Sequence, residues 1–597
     1  MSRVDAAPAL VHPTAHLGGA GVARLARGVV FAVVMLVTFA VLLHFHDRFW
    51  SAADEGGYAH VAERLLAGES LNGTVQALHL GYVSFANALA FKVFGIDLLS
   101  LRYPLAAMTL IQCALAFWLL AGRGVFPAFA GALAMGSLTL VQFLNPTAQW
   151  YALFLCVLTV ALLSARPGER RGTLELTGFL LVLLFLFRPL SGIFAAMGVF
   201  TFLLLQEQRH PGHAPARLAR GLTLLMLVGL VLYLRAMTDI VAALLFGTAP
   251  ALLLGFTFMT TRLGDRCFCR ELGRMVLGGL LAAAPLLAYH FVEGTLENWW
   301  RDTLASIISV ALSGPVATPG FGALVLRSVE QMLGAGGGAA LLNGFFWFSL
   351  ALLPLSLGAL LLRALWRGEA AGLAALPIVA CFFALVSVHT QEPLYLFFSA
   401  ALSLVALLHL STRAGRRRSL VPAAFCLTLA VIGLTYQAGQ PLTRGWDGIV
   451  AGQTKTVVAP TGLPRADLIV AAEETALYSL LLSLIDKHSA PGDPILALPA
   501  SPELYFLAQR RNPLRFFNAA RGLQSGADLR AVEVALEKDP PRLVFYRPDD
   551  IYNTPPVRRL MADLYERYSL LETAGGFEIY LLDDPEETPQ GASEPGA

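Results

Sequence analysis

Charge is the scarcest ingredient of this chain. Only 14% of its 597 residues are Asp, Glu, Lys or Arg, against about 25% in an ordinary soluble domain. That shortfall excludes a soluble globular enzyme and a disordered chain. Neither sign dominates: 43 basic and 41 acidic residues leave a net charge of +2, without the basic excess of a nucleic-acid binder. Cysteine is sparse, six in all with none after Cys426, so the C-terminal part holds no internal disulfide. Gly and Pro, 54 and 33 residues, stay near average usage and exclude the low-complexity classes.

What is abundant is apolar sequence: 56% of residues are hydrophobic and the mean hydropathy is +0.63. A membrane-spanning helix needs about 20 apolar residues, because ~1.5 Å per residue must cover a ~30 Å hydrocarbon core. Apolar runs at Gly28–His44, Tyr103–Ala121, Val125–Phe143, Trp150–Ala165, Thr173–Phe187, Leu190–Leu205 and Gly221–Arg235 meet this need approximately. So do Ile240–Phe258, Met275–Phe291, Ala340–Leu362, Ala371–Val388, Leu394–Leu410 and Leu420–Tyr436. The chain therefore reads as a polytopic α-helical membrane protein of about thirteen spans. No small-residue cleavage site follows the first run, so it reads as an uncleaved span.

The arginines orient these spans. Arg166/Arg170/Arg171, Arg209/Arg217/Arg220, Arg262/Arg266/Arg270/Arg274, Arg363/Arg367 and Arg413/Arg416/Arg417/Arg418 all fall on one side if thirteen spans alternate. The positive-inside rule makes that side cytoplasmic. Residues 1–27 are then a cytoplasmic N-terminus, and 28–437 the membrane domain. The opposite side receives 45–102, 145–149, 292–338, 389–393 and everything after Gln437.

Past Gln437 the composition turns polar. Ala471–Lys487, Asp528–Lys538 and Thr554–Tyr568 read as helices, and Pro494–Leu498, Arg542–Tyr546 and Phe577–Leu582 as strands. Ser501-Pro502-Glu503 reads as a helix N-cap followed by Pro at the first helical position. This alternation predicts a compact extracytoplasmic α/β domain over 438–584 with a polar tail at 585–597.

The first exterior loop, 45–102, is the most informative segment. Asp54-Glu55-Gly56-Gly57-Tyr58 opens it, Ala59–Ala67 has helical periodicity, and Leu78–Phe94 is a second amphipathic stretch. Two interfacial helices beside a pair of carboxylates make a pocket at the membrane surface, suited to a substrate with a lipid tail and a polar head. Solvated acids just outside a span are the competing reading.

The stretch Ala53-Asp54-Glu55-Gly56-Gly57-Tyr58, with Ala62–Glu69, Phe91–Ile96 and Leu101-Arg102, resembles the first loop of GT-C membrane glycosyltransferases. Those include protein O-mannosyltransferases (glycosyltransferase family 39) and aminoarabinose transferases of lipid A. The Arg188-Pro189 break between two spans, the span count and a terminal domain carrying Gly492-Asp493-Pro494-Ile495-Leu496 fit the same superfamily.

The resemblance implies transfer of a sugar from a polyprenyl-phosphate donor to a lipid-linked glycan, lipid A or protein acceptor. The setting would be the outer face of a bacterial cytoplasmic membrane. By position, Asp54 would be the general base and Glu55 its acidic neighbour. A carboxylate makes an acceptor hydroxyl more nucleophilic. A phosphate leaving group needs charge stabilisation rather than a proton. Arg102, Arg188 and Lys92 are the candidates at the exterior face, with a membrane-interface anchor the competing reading of Arg102. Tyr58, His79, Tyr82 and His389 are expected to line the substrate pocket. Adjacent carboxylates cannot flank a sugar ring, so one inverting displacement is expected rather than the two-carboxylate retaining geometry.

Two departures stand out. The second exterior loop, Asn145-Pro146-Thr147-Ala148-Gln149-Trp150, carries no carboxylate where several members have one. The first loop reads His79-Leu80-Gly81-Tyr82 where many relatives have a His-Pro-Pro turn. These leave a divalent metal open as a cofactor. His44/His46/Asp47 and Cys267/Cys269 are alternatives for binding one, and neither carries a full ligand set. Trp299-Trp300 reads as part of an aromatic belt. The Asn72-Gly73-Thr74 sequon reads as chance. Two other classes remain: a lipid or solute transporter, disfavoured by the lack of internal repeats, and a non-catalytic sensor, in which Asp54 could be lost without effect.

Overall fold

A computed structural model describes residues 17–77, 79–165, 172–206, 216–306, 308, 319–334, 336–411, 420–437 and 458–583. Arg166, Arg170, Arg171, Arg209, Arg413 and Arg416–Arg418 lie outside the described residues, as do 1–16 and the tail 585–597.

The chain is a polytopic helical membrane protein with a C-terminal α/β domain. Among the described residues, ten helices are long and apolar enough to cross a membrane. The other three expected spans are shorter apolar helices, at Thr173–Phe187, Ala375–Ser387 and Leu420–Thr435. The N-terminal elements are α1 (Leu17–Phe45), α2 (Ala52–Leu66), α3 (Tyr82–Phe94), α4 (Tyr103–Ala121), α5 (Val125–Ser137), α6 (Ala148–Ala165), α7 (Thr173–Phe187), α8 (Pro189–Gln206) and α9 (Arg217–Met237).

Between α7 and α8 stands Arg188, at φ −150° and ψ 105°. The cause is local: the ring of Pro189 disfavours helical backbone in the residue before it. The break sets one guanidinium at the junction of two apolar helices.

The terminal domain holds a four-stranded sheet in the order β3-β4-β6-β5, with β3 (Ile495–Leu498), β4 (Leu543–Tyr546), β5 (Tyr568–Ala574) and β6 (Phe577–Leu582). β3 and β4 run parallel, and β4/β6 and β6/β5 antiparallel. A separate ribbon pairs β1 (Val458–Pro460) with β2 (Ile469–Ala471). The helix expected over Thr554–Tyr568 spans Pro555–Leu564 and gives way to β5 at Tyr568. β5 exposes most of its side chains, so it lacks the apolar alternation that marks a half-buried strand.

Domain and first loop share one hydrophobic core. Trp50, Ala59, Ala62, Phe91, Leu98 and Leu101 of the loop pack with Leu481, Ile485, Leu504, Phe506 and Phe545 of the domain. Backbone bonds join them as well: Phe49 donates to the Ile469 carbonyl at 2.7 Å, and Ile469 to that of Asp47 at 2.7 Å. Gly56 explains itself here. A Cβ on it would lie 2.5 Å from the backbone of Glu503 in the helix Pro502–Ala508, so α2 and that helix meet only because the side chain is absent.

The segments that the arginine pattern sets on one side touch each other. Asn145 bonds Asp54 at 3.4 Å. Asp302 of 292–338 accepts from Asn72 and Gln76 of the first loop, each at 3.2 Å, and pairs with Arg515 of the domain. Asn72 is therefore buried in this knot. Trp299 is buried too and donates to the Leu80 carbonyl at 2.8 Å, whereas Trp300 is exposed; only the second fits a lipid-facing belt.

Candidate active site

Helix α2 carries both acids of the first loop in its first turn, where the positive end of the helix dipole favours them. Ser51, the residue before the helix, donates its backbone N–H to Glu55 Oε1 at 3.2 Å and its hydroxyl to Asp54 Oδ2 at 3.4 Å. From there the two neighbours diverge.

Glu55 is fully buried and meets Arg102, itself 1% exposed, across 2.9 Å from Nη2 to Oε1. Arg102 also donates from Nε to Glu55 Oε2 at 3.2 Å, and from Nη1 and Nη2 to the carbonyls of His46, Arg48 and Phe49 at 2.8, 3.1 and 2.5 Å. Burial raises the proton affinity of Glu55, opposed by the Arg102 charge. Every nitrogen of the guanidinium is engaged, so the expectation that Arg102 binds a donor phosphate is corrected. It clamps the turn between α1 and α2. Glu55 faces that clamp rather than a substrate.

Asp54 faces a cavity of about 150 Å3. One wall is the first loop: Gly57, Tyr58, Val61, Ala77, His79 and Ser84. The other is the terminal domain: Ala500, Pro502, Phe517, Asn518 and Tyr552. The carboxylate is open to water through the cavity, and protein crowds its other sides. Crowding raises its pKa above the usual 3.8, and the Ser51 hydroxyl pulls it partly back. Its one side-chain contact from the segment 145–149 is the neutral Asn145.

Tyr58 and His79 form a stacked, hydrogen-bonded pair on the cavity wall, with Tyr58 Oη 3.0 Å from His79 Nε2 and the ring centroids 5.7 Å apart. Burial, then the charge of Arg188, lowers His79 to about 4, so its ring is neutral at neutral pH. Burial lowers His389 likewise to about 4, with Arg188 and Arg521 adding to the effect. Arg188 thus stands within electrostatic reach of Tyr58, His79 and His389. Its side chain forms no hydrogen bond or ion pair among the described residues.

Neither His389, expected as a pocket wall, nor Arg188 is among the residues lining the cavity, and two further expectations fail on placement. Lys92 is exposed on the last turn of α3 and does not line the cavity. Tyr82 points elsewhere, donating to the Ala282 carbonyl at 2.7 Å and stacking on Phe187. Sequence reasoning in turn missed the domain wall. Phe517, Asn518 and Tyr552 lie more than 460 positions from Asp54, and no local motif marks them. Asn145 did carry a signal, since its loop, 145–150, holds no carboxylate where several members of the resembled family have one. Among the described residues, no group of three or more His, Cys, Asp or Glu side chains gathers as metal ligands. His44/His46/Asp47 and Cys267/Cys269 accordingly form no such group.

No protein-family model matches the chain, and no curated protein matches it. Among solved structures it is similar to ArnT from Cupriavidus metallidurans bound to undecaprenyl phosphate, at 13% identity and a TM-score of 0.36 over 94% of this chain and 99% of that one. The apo form of that protein gives 14% identity and a TM-score of 0.39 over 94% and 98%. An oligosaccharyltransferase of Archaeoglobus fulgidus, in complex with zinc and sulfate, gives 13% and 0.43 over 93% of this chain and 73% of that one. With every TM-score below 0.5, these likenesses assign neither activity nor ligand to this chain.

Proposed function

We propose that the chain is a GT-C-type membrane glycosyltransferase. It moves a sugar from a polyprenyl-phosphate donor to a hydroxyl of a lipid-linked glycan, lipid A or protein at the outer face of the cytoplasmic membrane. The observation that carries this reading is the open carboxylate of Asp54 in a cavity between the first loop and the terminal domain, with the unpaired guanidinium of Arg188 within electrostatic reach of two of its wall residues, Tyr58 and His79.

In this reading Asp54 accepts the proton of the acceptor hydroxyl as its oxygen attacks the anomeric carbon. The bond from that carbon to the phosphate oxygen breaks, and the polyprenyl phosphate leaves with the electron pair. Arg188 faces the negative charge that grows there, in surroundings of low dielectric where a fixed cation counts most. The raised pKa of Asp54 makes it a stronger base than a solvated aspartate. One available carboxylate implies a single displacement with inversion. Tyr58 and the neutral His79 offer hydrogen bonds to the sugar without competing for the proton.

The test is transfer of radiolabelled sugar from polyprenyl-phosphate donors by membranes carrying the wild-type chain or Asp54→Asn. Deleting the protein should change the lipid-linked sugars or surface glycans of the cell. Glycans unchanged by both deletion and Asp54→Asn would remove the transferase reading and leave the sensor.

A further inference from the structure

Helix α2 borders two cavities. Asp54, Gly57, Tyr58 and Val61 line the one described above. His60, Glu63, Arg64 and Ala67 line a second, of about 240 Å3. The second set is the first moved on by six residues, which carries it about 120° round the helix and about 9 Å along its axis. The terminal domain closes this cavity with Tyr505 and the run Gln509–Asn512. Further along the same segment, Phe517 and Asn518 serve the cavity beside Asp54. His60 and Phe517 stand between the two, their rings edge to face with centroids 6.3 Å apart.

The charges lining the second cavity are already paired: Arg64 with Glu69, Arg510 with Asp486, Arg511 with Asp539 and Glu63 with Arg465. An ionic ligand would have to break one of these pairs, so the cavity suits an uncharged one. Hydrogen-bonding capacity nevertheless remains. The Gln509 side chain is exposed and makes no hydrogen bond among the described residues. Glu63 commits Oε1 to Arg465 and keeps its other oxygen. The Asn512 amide is oriented by Nδ2 donating to the Phe516 carbonyl and Oδ1 accepting from the Leu514 N–H, each at 2.9 Å. That sets Nδ2 3.4 Å from His60 Nε2, so Nε2 is the acceptor and the ring proton sits on Nδ1. Burial, then the Arg64 charge, lowers His60 to about 3 and keeps that ring neutral. Tyr505 packs beside it, with centroids 5.1 Å apart. Neutral donors and acceptors over an aromatic floor complement a sugar, whose hydroxyls both give and accept and whose C–H faces rest on rings. The volume lies just below the ~300–1,000 Å3 of small-ligand pockets, which limits the occupant to about one ring.

We propose that this second cavity binds one neutral sugar residue, held by Gln509, Glu63 and His60, at a site separate from the cavity beside Asp54. The inference goes beyond the transferase reading and does not need it, since a non-catalytic receptor would use the same cavity.

The experiment is saturation-transfer NMR on the full chain in nanodiscs. The probes are glucose, galactose, mannose, rhamnose, xylose, arabinose and N-acetylglucosamine, with glycerol as the control. Wild type should bind at least one of these sugars and not glycerol. Gln509→Gly removes the amide at a left-handed position (φ 53°) that glycine adopts freely. It should weaken binding about tenfold, the worth of roughly one hydrogen bond, with an unchanged melting temperature. Ala67→Trp fills the cavity from its exposed rim and should abolish binding, again without loss of folding. Binding equal in wild type and both variants would overturn the site, and so would binding of none of the sugars. Transfer from polyprenyl-phosphate donors that persists in either case would leave the transferase reading standing. Sugar binding lost in Ala67→Trp, in a chain that transfers nothing, would keep this site and remove that reading.

Discussion

Asp54 and Glu55 are consecutive, yet one helical residue step of about 100° sends them to different surroundings. Glu55 turns to Arg102, and Asp54 to the cavity. The two should therefore fail differently. Asp54→Asn keeps the shape of the loop and removes the base, so transfer should fall by roughly 100- to 10,000-fold with normal expression and melting temperature. Glu55→Gln leaves the Arg102 charge buried without its partner, which costs about 3–5 kcal/mol. That variant should lose folded protein, read as yield and melting in detergent, before any specific loss of rate. The pH profile gives a second check. Asp54 acts only when deprotonated, so activity should fall as pH drops through its raised pKa, an acid limb above the ordinary aspartate value of 3.8. Ser51→Ala removes the hydrogen bond that pulls this pKa down and should move the limb further up. The sequence marked the acidic pair but could not divide its labour, because the deciding partner, Arg102, is 47 positions away.

Whole elements were easier to read than their contacts. The long apolar runs became helices at nearly the expected places, because burying 20 apolar residues in lipid is a demand met by composition alone. The strands Ile495–Leu498 and Leu543–Tyr546 are buried along their full lengths and showed as short apolar runs. Gly56 and Gly57 were legible as a motif but not as a reason. The reason is the helix Pro502–Ala508 lying against α2. Gly56→Ala should push those helices apart and cost about 1–3 kcal/mol, whereas Gly229→Ala, with nothing within 4 Å of the added carbon, should be neutral or slightly stabilising. The same seam holds Glu503, fully buried, with Tyr478 donating to Oε1 at 3.0 Å and Oε2 unpartnered. Burial raises its pKa from 4.5 to about 7, with Arg547 opposing and Asp550 adding. A raised acid binds its proton more tightly folded than unfolded, so this stabilisation is present below pH 4.5 and is lost as pH rises through 7. Melting of the wild type should therefore fall between pH 5 and 8 more steeply than that of Glu503→Gln, and equal slopes would remove Glu503 as the cause.

At the scale of the whole molecule, the decisive fact is that five segments far apart in sequence meet at one end. Asp54 touches Asn145, Asp302 ties Asn72 and Gln76 to Arg515, and His389 lies near Arg521. The opposite connections have their own contacts. Arg274 faces Glu175 at 3.8 Å, Asp265 accepts from the Leu218 N–H at 2.9 Å, and Gln206 donates to the Leu373 carbonyl at 2.8 Å. An arginine-bearing end and an acid-bearing end are what alternate spans produce, and the positive-inside rule predicts that the arginine-bearing end is cytoplasmic. Alkaline phosphatase joined after Asp583 should be active, and a green fluorescent protein joined there after Sec-dependent export should be dark. The same reporters joined after Arg367, in an arginine-bearing connection, should behave in the opposite way. A fluorescent fusion at Asp583 would turn the bundle over. It would set Asp54 and its cavity on the cytoplasmic face, where the outer-face transfer proposed for them has no setting.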